Sequence, residues 1–142
     1  MNKIARARKY LMSYRKAYEE YAEILEKFAR ADRTEPQSPK LTGMPRGTKT
    51  PDLSDVAVMN IELREVYSGR MEKLMERMKA VKETIESQFF TEDVALLSYK
   101  YIDFMTFAEI GEKMDLDVDA VYKRHQRALL RLPLREADDE WA

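Results

Sequence analysis

The sequence predicts an all-α protein: a long antiparallel helical hairpin of coiled-coil type, followed by a small helix-turn-helix module. Three observations carry this. Apolar side chains recur at alternating three- and four-residue steps over two long segments. The chain of 142 residues holds only 4 Gly and 5 Pro, too few for a turn-rich β fold, while 36% of it is charged. In the last third, two short helix starts flank a tight turn.

Residues 2–31 read as one helix. Ile4, Leu11, Tyr18 and Leu25 form one seven-residue series and Ala7, Tyr14, Tyr21 and Phe28 its companion, the a/d seam of a coiled coil. Residues 32–52 break the pattern with Pro36, Pro39, Pro45, Pro51, Gly43 and Gly47, and read as a loop. A second long helix follows, with Thr50 as cap, Pro51 at the first helical position, and Asp52 and Asp55 matched to the positive helix end. Its seam runs through Val56, Asn60, Leu63, Tyr67, Leu74 and Val81 and drifts onto Met71, Met78 and Ile85, reaching about Gln88. The simplest arrangement of the two is a hairpin over residues 1–90, with dimerisation through the same seams left open.

Residues 91–133 have a shorter rhythm. Thr91 is expected to cap a helix bearing Val94, Leu97, Tyr101 and Ile102. Thr106 and Glu109 have the spacing of a capping box and start a helix that ends near Met114. Asp117 caps a last helix over residues 118–132, closed by Pro133, and residues 134–142 form an acidic tail.

Charge is balanced overall, 25 Lys and Arg against 26 Asp and Glu, but not locally. Lys3, Arg6, Arg8, Lys9, Arg15 and Lys16 open the chain without an acid among them, and Lys123, Arg124, Arg127 and Arg131 do the same on the last helix. A polyanion senses potential within a Debye length of ~8–10 Å, so a nearly neutral chain can still bind DNA through such a segment. With no Cys and one His, structural zinc and disulfides are excluded and no cofactor is expected. No apolar run is long enough for a bilayer and no signal peptide opens the chain, so the expectation is a cytoplasmic protein with no membrane partner.

The helix-turn-helix reading rests on spacing. The motif needs a small residue in its first helix, a turn residue four positions on, and an apolar residue ten positions on that buries the second helix; Gly111, Asp115 and Val121 occupy those places. Asp tolerates the left-handed turn better than most side chains. Ile110, Met114 and Leu116 fill the core between, and Val121, His125, Ala128 and Leu132 form the buried stripe of the last helix. Opposite lie Asp119, Tyr122, Lys123 and Gln126, flanked by Arg124 and Arg127. The front of a recognition helix enters the major groove, where Lys123 can donate to guanine O6/N7 and Gln126 can pair with adenine. Arg124, Arg127 and Arg131 are expected on phosphates.

The stretch LLSYKYIDFMTFAEIGEKMDLDVDAVYKRHQRALLRL, from Leu96 to Leu132, resembles the fourth region of bacterial sigma factors, a promoter-reading helix-turn-helix. The likeness lies in Tyr101-Ile102, Thr106 with Glu109-Ile110, Val121 and Arg127-Ala128-Leu129. The whole chain resembles small phage and prophage proteins grouped with the ArpU- and RinA-type late-gene activators, most specifically in the loop phrase Leu41-Thr-Gly-Met-Pro-Arg-Gly47. That resemblance implies a phage-encoded regulator, an activator of late operons in a bacterial host, with double-stranded DNA as partner.

Other readings have less behind them. Asp115, Asp117 and Asp119 alternate as in a calcium loop, but Ala120 and Gln126 stand where Gly and Glu are needed. Residues 43–50 have the wrong spacing for a phosphate-binding loop, Pro45 removes an amide the phosphate would need, and no strand precedes them. His125 has no nucleophile or carboxylate placed with it, so no enzyme is expected. The alternatives to a promoter binder are a phage DNA-packaging adaptor of the small-terminase kind, which would assemble as rings, and a coiled coil that docks on RNA polymerase.

Overall fold

A computed structural model describes residues 2–33, 53–135 and 138. Among these the fold is all-helical, with α1 (Lys3–Arg33), α2 (Leu53–Glu86), α3 (Thr91–Leu97), α4 (Phe107–Met114) and α5 (Val118–Arg131). A π-helical turn, Ser98–Ile102, continues α3. No helix of the described residues is long and apolar enough to cross a membrane. The proline-rich connector and the proposed cap at Thr50 to Asp52 lie outside the described residues, except that α1 continues over Asp32 and Arg33.

The chain divides into two compact units, Met1–Glu19 with Met75–Ala142, and Glu20–Leu74. In the second, α1 and α2 run antiparallel: Arg70 forms a two-pronged ion pair with Glu20, and Phe28 meets Tyr67 edge-on at 6.3 Å. Leu74 and Ile24 are buried there, while Leu25, Ile61 and Val66 are exposed.

The first unit holds one continuous core. Ala7, Tyr10, Leu11 and Tyr14 from α1, Val81 and Ile85 from α2, and Leu96, Leu97, Tyr101, Ile110, Val121, Ala128, Leu129 and Leu132 from the C-terminal helices are all buried in it. The Tyr10 hydroxyl lies 2.9 Å from Thr84 Oγ1, tying α1 to α2 within this unit.

The heptad assignment on α1 needs correction. Ala7 and Tyr14 are buried and Tyr21 and Phe28 half-buried, but their companions are Tyr10, Ala17 and Ile24, not Tyr18 and Leu25, which are 49% and 46% exposed. The two candidate series sit side by side on the helix, so periodicity alone does not choose between them. The neighbours of α1 do: Leu11 is buried in the core shared with the C-terminal helices, and Tyr18 turns its ring to Phe104 at 5.5 Å.

Helix ends follow local chemistry with two corrections. The N–H of Ala5 donates to Asn2 Oδ1 at 2.7 Å, so Asn2 caps α1. At α3 the cap position is Phe90, not Thr91, and no side chain caps it. At α4 the Glu109 N–H donates to Thr106 Oγ1 at 3.2 Å as expected. Glu109 does not close the box back onto the cap N–H; its carboxylate accepts from the Thr106 hydroxyl at 3.1 Å.

Candidate nucleic-acid interface

The geometry of α4, turn and α5 is that of a close-packed helix pair. Asp115 ends α4 in the left-handed region, at φ 57° and ψ 48°, and its N–H and that of Leu116 both reach the Gly111 carbonyl. A Cβ on Gly111 would lie 2.5 Å from the Leu116 carbonyl oxygen and 3.7 Å from a Val121 methyl, which is why this position takes no side chain. Asp117 then caps α5 by accepting from the Ala120 N–H at 2.7 Å.

One face of α5 is buried through Val121, His125, Ala128 and Leu129, with Leu132 just past its end. Ile110 is buried beneath the turn, while Met114 and Leu116 are only half-buried. Leu129 joins the core although the sequence stripe had passed over it.

His125 is the most constrained polar group in the site. It is 1% exposed, and its Nε2 lies 2.6 Å from the Tyr101 hydroxyl on the π-helical turn. Burial lowers its pKa from 6.5 to about 4, reinforced by the charges of Arg8 and Lys100, so the imidazole is neutral at pH 7. Burial likewise pushes Tyr101 up to about 12. This pair is a polar pin between the turn and α5, and Nδ1 of His125 is buried without a hydrogen-bond partner.

The residues singled out for DNA contact divide into two groups. Asp119, Tyr122, Lys123 and Arg127 are exposed on the outer side of α5, and Gln126 is half-buried beside them. Among the described residues, Lys123 and Arg127 form no ion pair. Arg124 and Arg131 face α3. Arg124 pairs with Glu92 at 2.8 Å, and Arg131 approaches both carboxylate oxygens of Asp93, at 3.3 and 3.0 Å, with its guanidinium 4.6 Å from the centre of the Phe90 ring. Asp93 is 1% exposed, so its carboxylate depends on that partner. Lys123, Arg124 and Arg127 also rim a depression of about 400 Å³ with Asp117 and Asp119.

Two cations of the opening basic segment, outside the residues predicted for DNA contact, lie nearby. Arg8 and Arg15 of α1 lie close to Tyr122 and Phe107, next to the outer side of α5. Their only signal was the acid-free start of the chain, which fixes sign but not position.

No family model, curated protein or solved structure matches the chain, so the likeness to phage regulators stands on the residues quoted for it.

Proposed function

We propose that this chain binds double-stranded DNA sequence-specifically through α5, as a transcriptional regulator of the phage late-gene kind it resembles. The observation that carries the reading is a helix held rigidly on one face while its opposite face is left to solvent: Val121, His125 and Ala128 buried, Asp119, Tyr122, Lys123 and Arg127 outward. The Gly111–Leu116 approach and the Asp115 and Asp117 end groups fix the angle at which that face is offered. Lys123 and Gln126 are the base readers, Asp119 accepts from cytosine N4, and Arg127 meets phosphate. Arg124 reaches phosphate only by sharing its guanidinium with Glu92, and Arg131 serves chiefly as the partner of Asp93. In this reading the helical surface bearing the exposed Leu25, Ile61 and Val66 meets a second copy or RNA polymerase.

Selection of bound duplexes from a random pool at stated salt tests the assignment. Enrichment of one motif is expected, and a palindrome with half-sites ~34 Å apart would mark a symmetric dimer. A pool that emerges without any preferred sequence overturns specific recognition.

A further inference from the structure

Between the first half of α1, the π-helical turn and α4–α5 lies a groove of about 560 Å³. That volume falls within the ~300–1,000 Å³ typical of small-molecule sites. Its charge is one-sided: Arg8, Arg15 and Lys100 line it, and no Asp or Glu does among the described residues. Arg15 bonds Glu19 through Nε at 3.1 Å, and that bond does not engage its two terminal nitrogens.

The walls are aromatic. Phe107 meets Tyr122 edge-on at 6.0 Å, and Lys100 Nζ stands 4.5 Å from the centre of the Phe107 ring. Phe104, also in the lining, carries the Arg15 guanidinium 5.0 Å from its ring centre. Phe104 adopts a φ of 59°, a left-handed conformation that is strained for a bulky side chain. Tyr14 and Tyr18 brace its ring at 6.2 and 5.5 Å, so the strained backbone is held in place by packing. Strain held this way concentrates at ligand clamps. His125 also lines the groove, and its buried Nδ1 lacks a hydrogen-bond partner.

We propose that this groove binds a nucleoside monophosphate, with the base against the Phe104, Phe107 and Tyr122 rings and the phosphate between Arg8, Arg15 and Lys100. Two guanidinium groups and an ammonium suit a dianion better than a single carboxylate, and flat apolar walls suit a flat ring. Neither half of such a ligand accounts for the groove alone: phosphate leaves the rings uncovered, and a neutral base leaves Arg8, Lys100 and the terminal nitrogens of Arg15 without an anion in the groove. The proposal does not rest on duplex recognition, although Tyr122, Arg8 and Arg15 of the groove lie beside the outer face of α5.

Calorimetric titration of the full chain with AMP, GMP, CMP and UMP tests it, with the nucleosides and inorganic phosphate run alongside. Saturable binding of at least one monophosphate is expected, at least about tenfold tighter than its nucleoside or phosphate alone. The double substitution Arg8→Gln with Lys100→Gln, both on solvent-accessible side chains, should weaken that binding about tenfold or more while leaving the circular dichroism spectrum unchanged. Tyr122→Ala should weaken it without changing the response to inorganic phosphate. Absence of saturation by all four up to about 1 mM overturns the proposal. So does an affinity indifferent to the Arg8 and Lys100 substitutions, or a single-stranded oligonucleotide that displaces the monophosphate at equal base concentration.

Discussion

Arg131, at the end of α5, holds the carboxylate of Asp93, a side chain 1% exposed at the start of α3. An acid in that position is costly unless a cation stays with it. Arg131→Ala should therefore lower folding stability by about 1–3 kcal/mol, because Asp93 remains buried without its partner. Arg127→Ala, four residues earlier and exposed, should change stability by less than about 0.5 kcal/mol. Urea denaturation of the two variants checks the contrast; equal stabilities would show that the Asp93 pair contributes nothing.

DNA binding should separate Lys123 from Arg127. Lys123→Ala is expected to cost about 1–3 kcal/mol at one base position and to relax preference there. Arg127→Ala should weaken all sequences alike and reduce the slope of log affinity against log salt by about 1. Titrations of the selected duplex and its single-base variants at several salt concentrations measure both. If both substitutions leave every duplex equally well bound, α5 is not the reading helix.

The two described glycines should respond oppositely to alanine. At Gly111 the new Cβ meets a backbone carbonyl oxygen at 2.5 Å, so the turn must move and Gly111→Ala should destabilise by about 1–3 kcal/mol. At Gly69, inside α2, nothing lies within 4 Å of that atom, so Gly69→Ala should stabilise by about 0.5–1 kcal/mol through helix propensity. Thermal melts of the pair decide it, and a gain at Gly111 would contradict the close approach.

Acid should expose the Tyr101–His125 pin. The pKa of His125 falls from 6.5 to about 4 on folding, so the unfolded chain binds the extra proton first as pH drops. The native advantage of the neutral ring is complete above pH 6.5 and is lost as pH falls toward 4, with a total of about 3 kcal/mol. His125 is the single histidine of the chain, so the upper part of this window belongs to it alone. Stability measured by urea between pH 7 and 5 should decline in the wild type and stay nearly flat in His125→Gln. Parallel slopes would remove the histidine from the account.

The α4–turn–α5 segment was legible in the sequence because its determinants are local. A small residue at 111, a left-handed Asp115 and a capping Asp117 each act within a few positions, and the structure keeps the helix limits within a residue. The partners of Arg124 and Arg131 were not legible, since Glu92 and Asp93 are more than thirty residues away and nothing in helical spacing links them. The same holds for α1. Ala17 and Ile24 compete with Tyr18 and Leu25 on nearly the same stripe, and only the neighbouring helices break the tie. The π-helical turn and the positive φ of Phe104 gave no signal, because both replace a regular geometry that the residues themselves would accept.

The shared core of the first unit limits how the chain can be dissected. Ala7, Leu11 and Tyr14 near one terminus and Val81 and Ile85 in mid-chain cover the same apolar surface as Leu96, Leu97 and Tyr101. A fragment cut at residue 91 would bare that surface to water and become sticky, however neat the cut looks on paper. The last three helices are thus seated rather than tethered, and transplanting them onto another scaffold means carrying their seat along.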